Sequence, residues 1–312
     1  MPEMAVYLYP LEVKQESLKI IIFNYIMIKD YDLKTLPKYF SMIVNGVRRS
    51  GKSRITDWML NQIYNDENHK FDDCYLLSST AKQQDDVFQF VDRDNIVDEL
   101  TDDKIRSIFA EREKIMEHYK KNPELFETHP NCLIIIDDLL SDSKGKSLWH
   151  SKPVNELFFK GRHMGCTIIV LTQYVKALSP LMRCNSDVLI YFRDLREDNR
   201  KCVLGEYLCF CNDRDIQKQG EQLMTDITSE RYHAMVVDRY KGQYSKSFEE
   251  YVFQMKAPEK YNNQKLKFHK LPKLSLSFKE DTAEQEDKLI VNNSLRFKKK
   301  ADLDKPKKRI IL

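Results

Sequence analysis

Eight consecutive residues, Gly46-Val47-Arg48-Arg49-Ser50-Gly51-Lys52-Ser53, set two glycines around four residues and follow them with an ammonium and a hydroxyl. Glycines at this spacing let the backbone curl so that successive N–H groups face a single anion. A helix beginning at the end of the loop adds its positive N-terminal end. A phosphate ester with a divalent counter-ion is the ligand such a set suits. Lys52 is placed to reach the β- and γ-phosphates of a nucleoside triphosphate, and the Ser53 hydroxyl to coordinate Mg²⁺. The alternative is a glycine-containing surface turn. Against it stand the scarcity of glycine, 8 in 312 residues, and the flanks: an apolar strand-like run from Phe40 to Val44 enters the loop, and helically spaced residues leave it.

Two more groups fit phosphate chemistry. Cys132-Leu-Ile-Ile-Ile-Asp137-Asp138 is an apolar run ending in two carboxylates, the pattern of a Walker B strand. Its first acid holds the metal's water shell, and its second polarises the attacking water. Asp137 is accordingly assigned to Mg²⁺ and Asp138 to the water, although two Asp after a strand also cap helices. The run 167–172 ends at Gln173, an uncharged amide able to bond both a γ-phosphate and a lytic water. Gly161-Arg162-His163-Met164-Gly165 precedes that run, and Arg162 is the candidate for presentation to a neighbouring subunit's nucleotide, with Arg183 as the competitor. A trans-acting Arg is typically worth about 10³–10⁵ in rate.

The elements that must position these groups are legible as strand-like runs at 41–45, 73–79, 132–137, 167–172 and 188–192, with a further one at 232–238. Continuous apolar strands alternating with helical patterns predict an α/β fold with a mostly parallel sheet covered on both faces. A helix over 54–65 forms the first crossover. Residues 1–35 read as a strand-rich lead-in, with the apolar stretch 18–28 as one or two strands at the edge of the nucleotide domain. Residues 36–255 read as the nucleotide-binding domain, and 81–130 as a helical insertion in it. In that insertion Ile105, Ile108, Phe109, Ile115 and Tyr119 follow helical spacing and face either a neighbouring subunit or the sheet. Residues 256–312 form an extended segment ending in a basic run, 296–309, that is a DNA contact, an import signal or a solubilising end.

Composition narrows the class without naming it. The charged fraction is 32% and the formal net charge +3, with a mean hydropathy of −0.57, so no membrane span is expected and net charge alone identifies no nucleic-acid partner. Seven cysteines, an odd number, with Glu3 where a leader would be basic, predict reduced thiols inside a cell. Cys202, Cys209 and Cys211 with His233 lack the usual zinc spacing.

Taken in order, Leu36-Pro37, Phe40-Ser-Met-Ile-Val, the phosphate loop, Ser78-Ser-Thr80, Asp137-Asp138, Gly-Arg-His-Met-Gly and Leu-Thr-Gln173-Tyr174 through Asp187 resemble the genome-packaging ATPases of nucleocytoplasmic large DNA viruses, virophages and polinton-like elements. These belong to the HerA/FtsK superfamily of P-loop ATPases. The resemblance covers about residues 36–205. It implies a RecA-like core with an additional strand, a homo-oligomeric ring, ATP and Mg²⁺ as ligands, and movement of double-stranded DNA into a capsid. A capsid or portal contact follows, in a host-cell viral factory or nucleus, or in the virion. Arg48 and Arg49 make the loop more basic than usual, and Asp138 stands where Glu is frequent. Two other classes remain open: a small-molecule phosphotransferase of the nucleotide-kinase type, and a non-catalytic nucleotide-binding virion component. The two carboxylates are separable by experiment. Asp138→Asn is expected to bind ATP and Mg²⁺ yet hydrolyse very slowly in a single-turnover assay; near-normal turnover would give both roles to Asp137.

Overall fold

Eight strands of the described chain form one sheet in the order β10-β9-β8-β3-β7-β6-β4-β5. In chain order they are β3 (Ser41–Asn45), β4 (Asp73–Ser78), β5 (Ile96–Val97), β6 (Cys132–Asp137), β7 (Cys166–Thr172), β8 (Val188–Tyr191), β9 (His233–Asp238) and β10 (Val252–Lys256). The six strands from β8 to β5 run parallel, and β9 and β10 extend the sheet antiparallel to their neighbours. The computed structural model describes residues 6–12, 21–64, 69–78, 88–97, 101–137, 148–209, 214–245, 247–259, 266, 268 and 271. All of these fall in the compact unit Met1–Leu271. Asp138 and the basic run 296–309 lie outside the described residues.

Strand alternation explains why the sheet is buried on both faces. Ile43 of β3, Ile134 and Ile136 of β6 and Ile168 and Val170 of β7 enter one cluster. Met42, Val44, Leu133, Ile135, Ile169 and Leu171 enter the other. A period-2 pattern with both phases apolar is what a covered parallel sheet requires. Helix α1 (Lys52–Ile63) lies against the second face through Ile55, Met59, Leu60 and Ile63. The first face is covered by α2 (Asp102–Lys121), α3 (Lys152–Lys160), α5 (Glu197–Glu206) and α6 (Arg214–Ile227). Short helices α4 (Pro180–Cys184) and α7 (Arg239–Gly242) fill turns at the strand ends.

The stretch 18–28 supplies the expected strand, β2 (Ile21–Met27), which pairs antiparallel with β1 (Val6–Glu12) in a two-stranded sheet distinct from the eight-stranded one. Residues just beyond it reach the edge of the eight-stranded sheet: Tyr31 N–H donates to Gln254 O at 2.9 Å, and Gln254 N–H to Lys29 O at 3.0 Å. Backbone groups of the outer strand β10 are thereby partly satisfied. Among the described residues no helix is long and apolar enough to cross a membrane.

Helix α2 resolves the two orientations left open for its apolar stripe. Thr101 caps it, its hydroxyl accepting from Lys104 N–H, and acids occupy the first turn and bases the last, as the helix dipole favours. Ile105, Ile108 and Phe109 are buried within the chain's own cluster alongside Tyr75, Leu77 and Trp149. Ile108→Ala is therefore expected to cost about 2–5 kcal/mol of folding stability. The loss should be the same at low and high protein concentration in urea titrations, whereas a stripe facing another subunit would give a concentration-dependent loss.

Candidate nucleotide site

The carboxyl ends of the parallel strands gather the candidate residues. Strand order in the sheet places β7 between β3, which enters the phosphate loop, and β6, which ends at Asp137. Register sets Asp137 beside Ser78 on one side and Leu171 on the other, and Asn45 beside Thr172. Gly46, Asp137 and Gln173 thus share one end of the sheet, the usual position for ligands in open α/β folds.

The loop is held from both neighbouring strands. Gly46 N–H donates to Thr172 O at 3.1 Å, and Phe192 N–H to Asn45 O at 2.8 Å. Two residues adopt left-handed backbone, Arg49 at φ 64° and Gly51 at φ 105°; alternation of this kind turns successive N–H groups toward one concavity. At Gly51 a side chain is excluded twice, by φ and by Tyr232, whose ring would lie 2.7 Å from an added Cβ. Arg48 and Arg49 point outward and are exposed, so their charge surrounds the cradle without filling it. Lys52, 7% exposed, donates from Nζ to the carbonyls of Gly46 at 2.8 Å and Val47 at 3.3 Å. The ammonium is thus held over the loop's own interior. The Ser50 hydroxyl is buried there with no hydrogen-bond partner among the described residues. An orphaned buried donor, a lysine bound to loop carbonyls and a concave run of N–H groups together fit a triphosphate. Ser53, half-buried at the start of α1, and the buried Asp137 carboxylate are hard oxygen donors that suit Mg²⁺.

Sequence reasoning missed the support behind Gln173. Arg196, just beyond β8, donates to the Gln173 carbonyl and stacks over the Tyr174 ring at 5.0 Å. It is fixed by Asp194, whose Oδ2 lies 2.7 Å from Nη2. Asn199 extends the link, its amide donating to both Asp194 and Asn45, and Asn45 donates to Thr172 O at 3.2 Å. Burial opposes the charge of Asp194, yet hydrogen bonds from Arg196 and Asn199 hold its carboxyl below the usual range. The Asp194-x-Arg196 spacing was the one available sequence signal, and it is a common one.

The two arginine candidates differ sharply. Arg183 is buried and grips Glu206 with two hydrogen bonds, 2.6 and 2.9 Å, while Nη1 donates to the Lys176 and Leu178 carbonyls. Arg162 sits in the turn Gly161–Met164 before β7, at the amino end of the sheet. It is exposed, and its guanidinium forms no hydrogen bond or ion pair among the described residues. It borders a recess of about 240 Å³ lined also by Tyr39, Phe159, Asp187 and Tyr240. Burial pushes the Asp187 carboxyl up, while hydrogen bonds from Ser41 and the nearby Arg162 charge draw it back.

A sheet with β7 between the phosphate-loop strand and the acid-tipped strand, and with the loop opening at its carboxyl end, defines a RecA-like P-loop nucleotide-binding fold. The chain belongs to the viral family described as Poxvirus A32 protein, whose model matches residues 29–241, in keeping with the packaging-ATPase resemblance. Relatives include Uncharacterized protein 075L of Invertebrate iridescent virus 6, 27% identical over 53% of this chain and 58% of that one. Uncharacterized protein 088R of Invertebrate iridescent virus 3 is 24% identical over 70% of this chain and 75% of that one. The chain spans 58% of the length of the first of these and 36% of a third relative, Uncharacterized protein 015R of Frog virus 3. Among solved structures, the genome packaging NTPase B204 from Sulfolobus turreted icosahedral virus 2 in complex with AMP is 15% identical with a TM-score of 0.45, covering 72% of this chain and 100% of that one. The pCW3 conjugation coupling protein TcpA with ATPgS is likewise 15% identical at a TM-score of 0.45, covering 82% and 66%.

Ser50 offers a direct test of the cradle. Because its hydroxyl has no partner, Ser50→Ala is expected to leave the nucleotide-free thermal midpoint unchanged or slightly raised. A lost hydrogen bond to a charged group should weaken triphosphate binding about ten-fold in calorimetric titration. A lowered midpoint with unchanged affinity would make Ser50 a scaffold residue.

Proposed function

We propose that this protein is an ATP-hydrolysing motor that moves double-stranded DNA into a viral capsid, working as a homo-oligomeric ring seated at a capsid or portal vertex. The observation that carries the reading is the division of the catalytic set between the two ends of the sheet. The phosphate loop, Asp137 and Gln173 stand at the carboxyl end, and Arg162, with no hydrogen bond or ion pair among the described residues, stands at the amino end.

Within one subunit the loop N–H groups and Lys52 bind the β- and γ-phosphates, and Gln173 orients the γ-phosphate and the attacking water through its amide. Asp138, next along from Asp137, accepts the water's proton. Mg²⁺, held by Ser53 and Asp137, neutralises charge on the phosphate oxygens when bound. The seven residues of β7 separate Arg162 from Gln173 by about 20 Å, farther than a side chain reaches. Arg162 therefore serves the nucleotide of the next subunit, where its charge stabilises the transferring phosphoryl group. Arg183, already committed to Glu206 and two carbonyls, is the poorer candidate. The exposed rings of Phe159 and Tyr240 beside Arg162 suit a face that a second copy covers. Contacts to DNA run to phosphates, because a motor that passes a whole genome cannot depend on particular bases.

ATP hydrolysis by the full chain, measured with and without duplex DNA, tests the reading. Turnover should rise with DNA, be abolished in Lys52→Ala, and fall about 10³-fold or more in Arg162→Ala. Mixing those two inactive variants should restore part of the activity, and dilution below the assembly threshold should remove it. Absence of turnover in the wild type would leave a nucleotide-binding structural component, and phosphate transfer to nucleoside monophosphates would make the protein a kinase.

A further inference from the structure

Helix α2 carries one buried charge in its apolar face. Arg112 is 2% exposed and meets Asp72, just before β4, through two hydrogen bonds of 2.7 and 3.1 Å. Its remaining reach goes to the turn that holds Arg162: Nη2 donates to Gly165 O at 3.2 Å, and Nε lies 3.5 Å from Met164 O. Burial pushes the Asp72 carboxyl up and Arg112 draws it down, so the pair stands against a desolvation cost that hydrophobic packing would not incur.

The surrounding bonds join Asp72 and the same turn to the segment that begins β6. Asp72 Oδ2 also accepts from Asn131 N–H at 2.6 Å, and Asn131 Oδ1 accepts from the Thr167 hydroxyl at 2.9 Å. Cys132 N–H donates to Gly165 O at 2.8 Å. Gly165 closes the turn with φ 63°, and a Cβ there would lie 2.6 Å from Pro130 O and 2.8 Å from Met116 Sδ on α2. The turn is thus seated on the helix with no room for a side chain between them. Arg162 itself, by contrast, has no hydrogen bond or ion pair among the described residues to set its direction.

We propose that Arg112 is a positioning residue for Arg162: it fixes the Gly161–Met164 turn on α2, so that the exposed guanidinium projects from the subunit in one direction. The inference rests on the trans role proposed above for Arg162. It gives the inserted helix a function in the catalytic cycle, as the brace of the group one subunit lends to the next. Arg112→Lys keeps a positive charge opposite Asp72, but one ammonium cannot span a carboxylate and two carbonyls as a guanidinium fork does.

A subunit that only lends its arginine and one that only holds ATP separate positioning from general damage. Arg112→Lys is placed first in the Lys52→Ala subunit and mixed with Arg162→Ala, then placed in the Arg162→Ala subunit and mixed with Lys52→Ala. ATP turnover is the readout. In the lending subunit the change should lower the rescued rate about ten-fold or more, since small misplacements of a catalytic group cost up to about 10²-fold. In the holding subunit the rate should stay within about two-fold, as additivity of distant sites implies. Equal losses in both arms, or a loss in neither, would overturn the proposal while leaving the trans reading intact. No rescue in the parent mixture, with mixed oligomers present, would overturn the trans reading and this inference with it. Should Arg112→Lys fold poorly, Arg112→Met combined with Asp72→Asn removes both charges together and leaves neither buried alone; it carries the same two-arm expectation.

Discussion

A parallel sheet with both faces covered has only its two ends free for chemistry, and most of the organisation of this chain follows from that constraint. Helix α1 closes one face and α2, α3, α5 and α6 the other. Residues that must meet solvent or ligand are pushed to the strand termini. At the carboxyl termini the backbone turns outward and offers unpaired N–H groups, so an anion site arises there with little side-chain help. At the amino end, the turn before β7 exposes Arg162 and His163, beside the exposed rings of Phe159 and Tyr240.

The phosphate loop shows how little local freedom the carboxyl end retains. Gly46 is bonded to the end of β7 and Asn45 to the residue after β8, so the loop's first residues are set by three strands at once. Lys52 then bonds back to the loop's first two carbonyls. Burying an ammonium is costly, and these carbonyls offset part of that cost. Left-handed backbone at Arg49, a non-glycine residue, costs on the order of 1 kcal/mol or more. Such strain is retained where the curvature of the loop requires it.

What was legible in the sequence was local. The strands 41–45 and 132–137 were read to the residue, because an apolar run bounded by a loop on one side and acids on the other leaves little choice. Others shifted at their ends by a residue, as at Cys166 and Tyr191. The α2 stripe was visible as a helix, but its partner was not, since periodicity reports an apolar face and not what covers it. Long-range pairs were invisible: Arg183 with Glu206, 23 residues apart, Arg112 with Asp72, 40 apart, and Asn199 with Asn45, 154 apart. Each depends on the order of strands in space. That order also decided the fate of 18–28, whose composition fits a strand in either sheet.

The strand order also links the phosphate loop to Gln173. Because β7 lies directly beside β3, the residue before the loop and the residue before Gln173 are neighbours in register. Asn45 bonds across that boundary to Thr172 O, and Asn199 bonds Asn45 to Asp194. Asp194 holds Arg196, and Arg196 returns to the Gln173 carbonyl. The circuit closes on itself through side chains from β3, the segment after β8, and α5. A displacement of the loop on filling with phosphate therefore has a hydrogen-bonded route to the backbone of Gln173. Three of its members, Asn45, Asp194 and Asn199, are buried, where hydrogen bonds are stronger and an unmade one is costlier than in water. Such a circuit resists being half-made, which favours joint movement of the loop and Gln173 over independent adjustment of either.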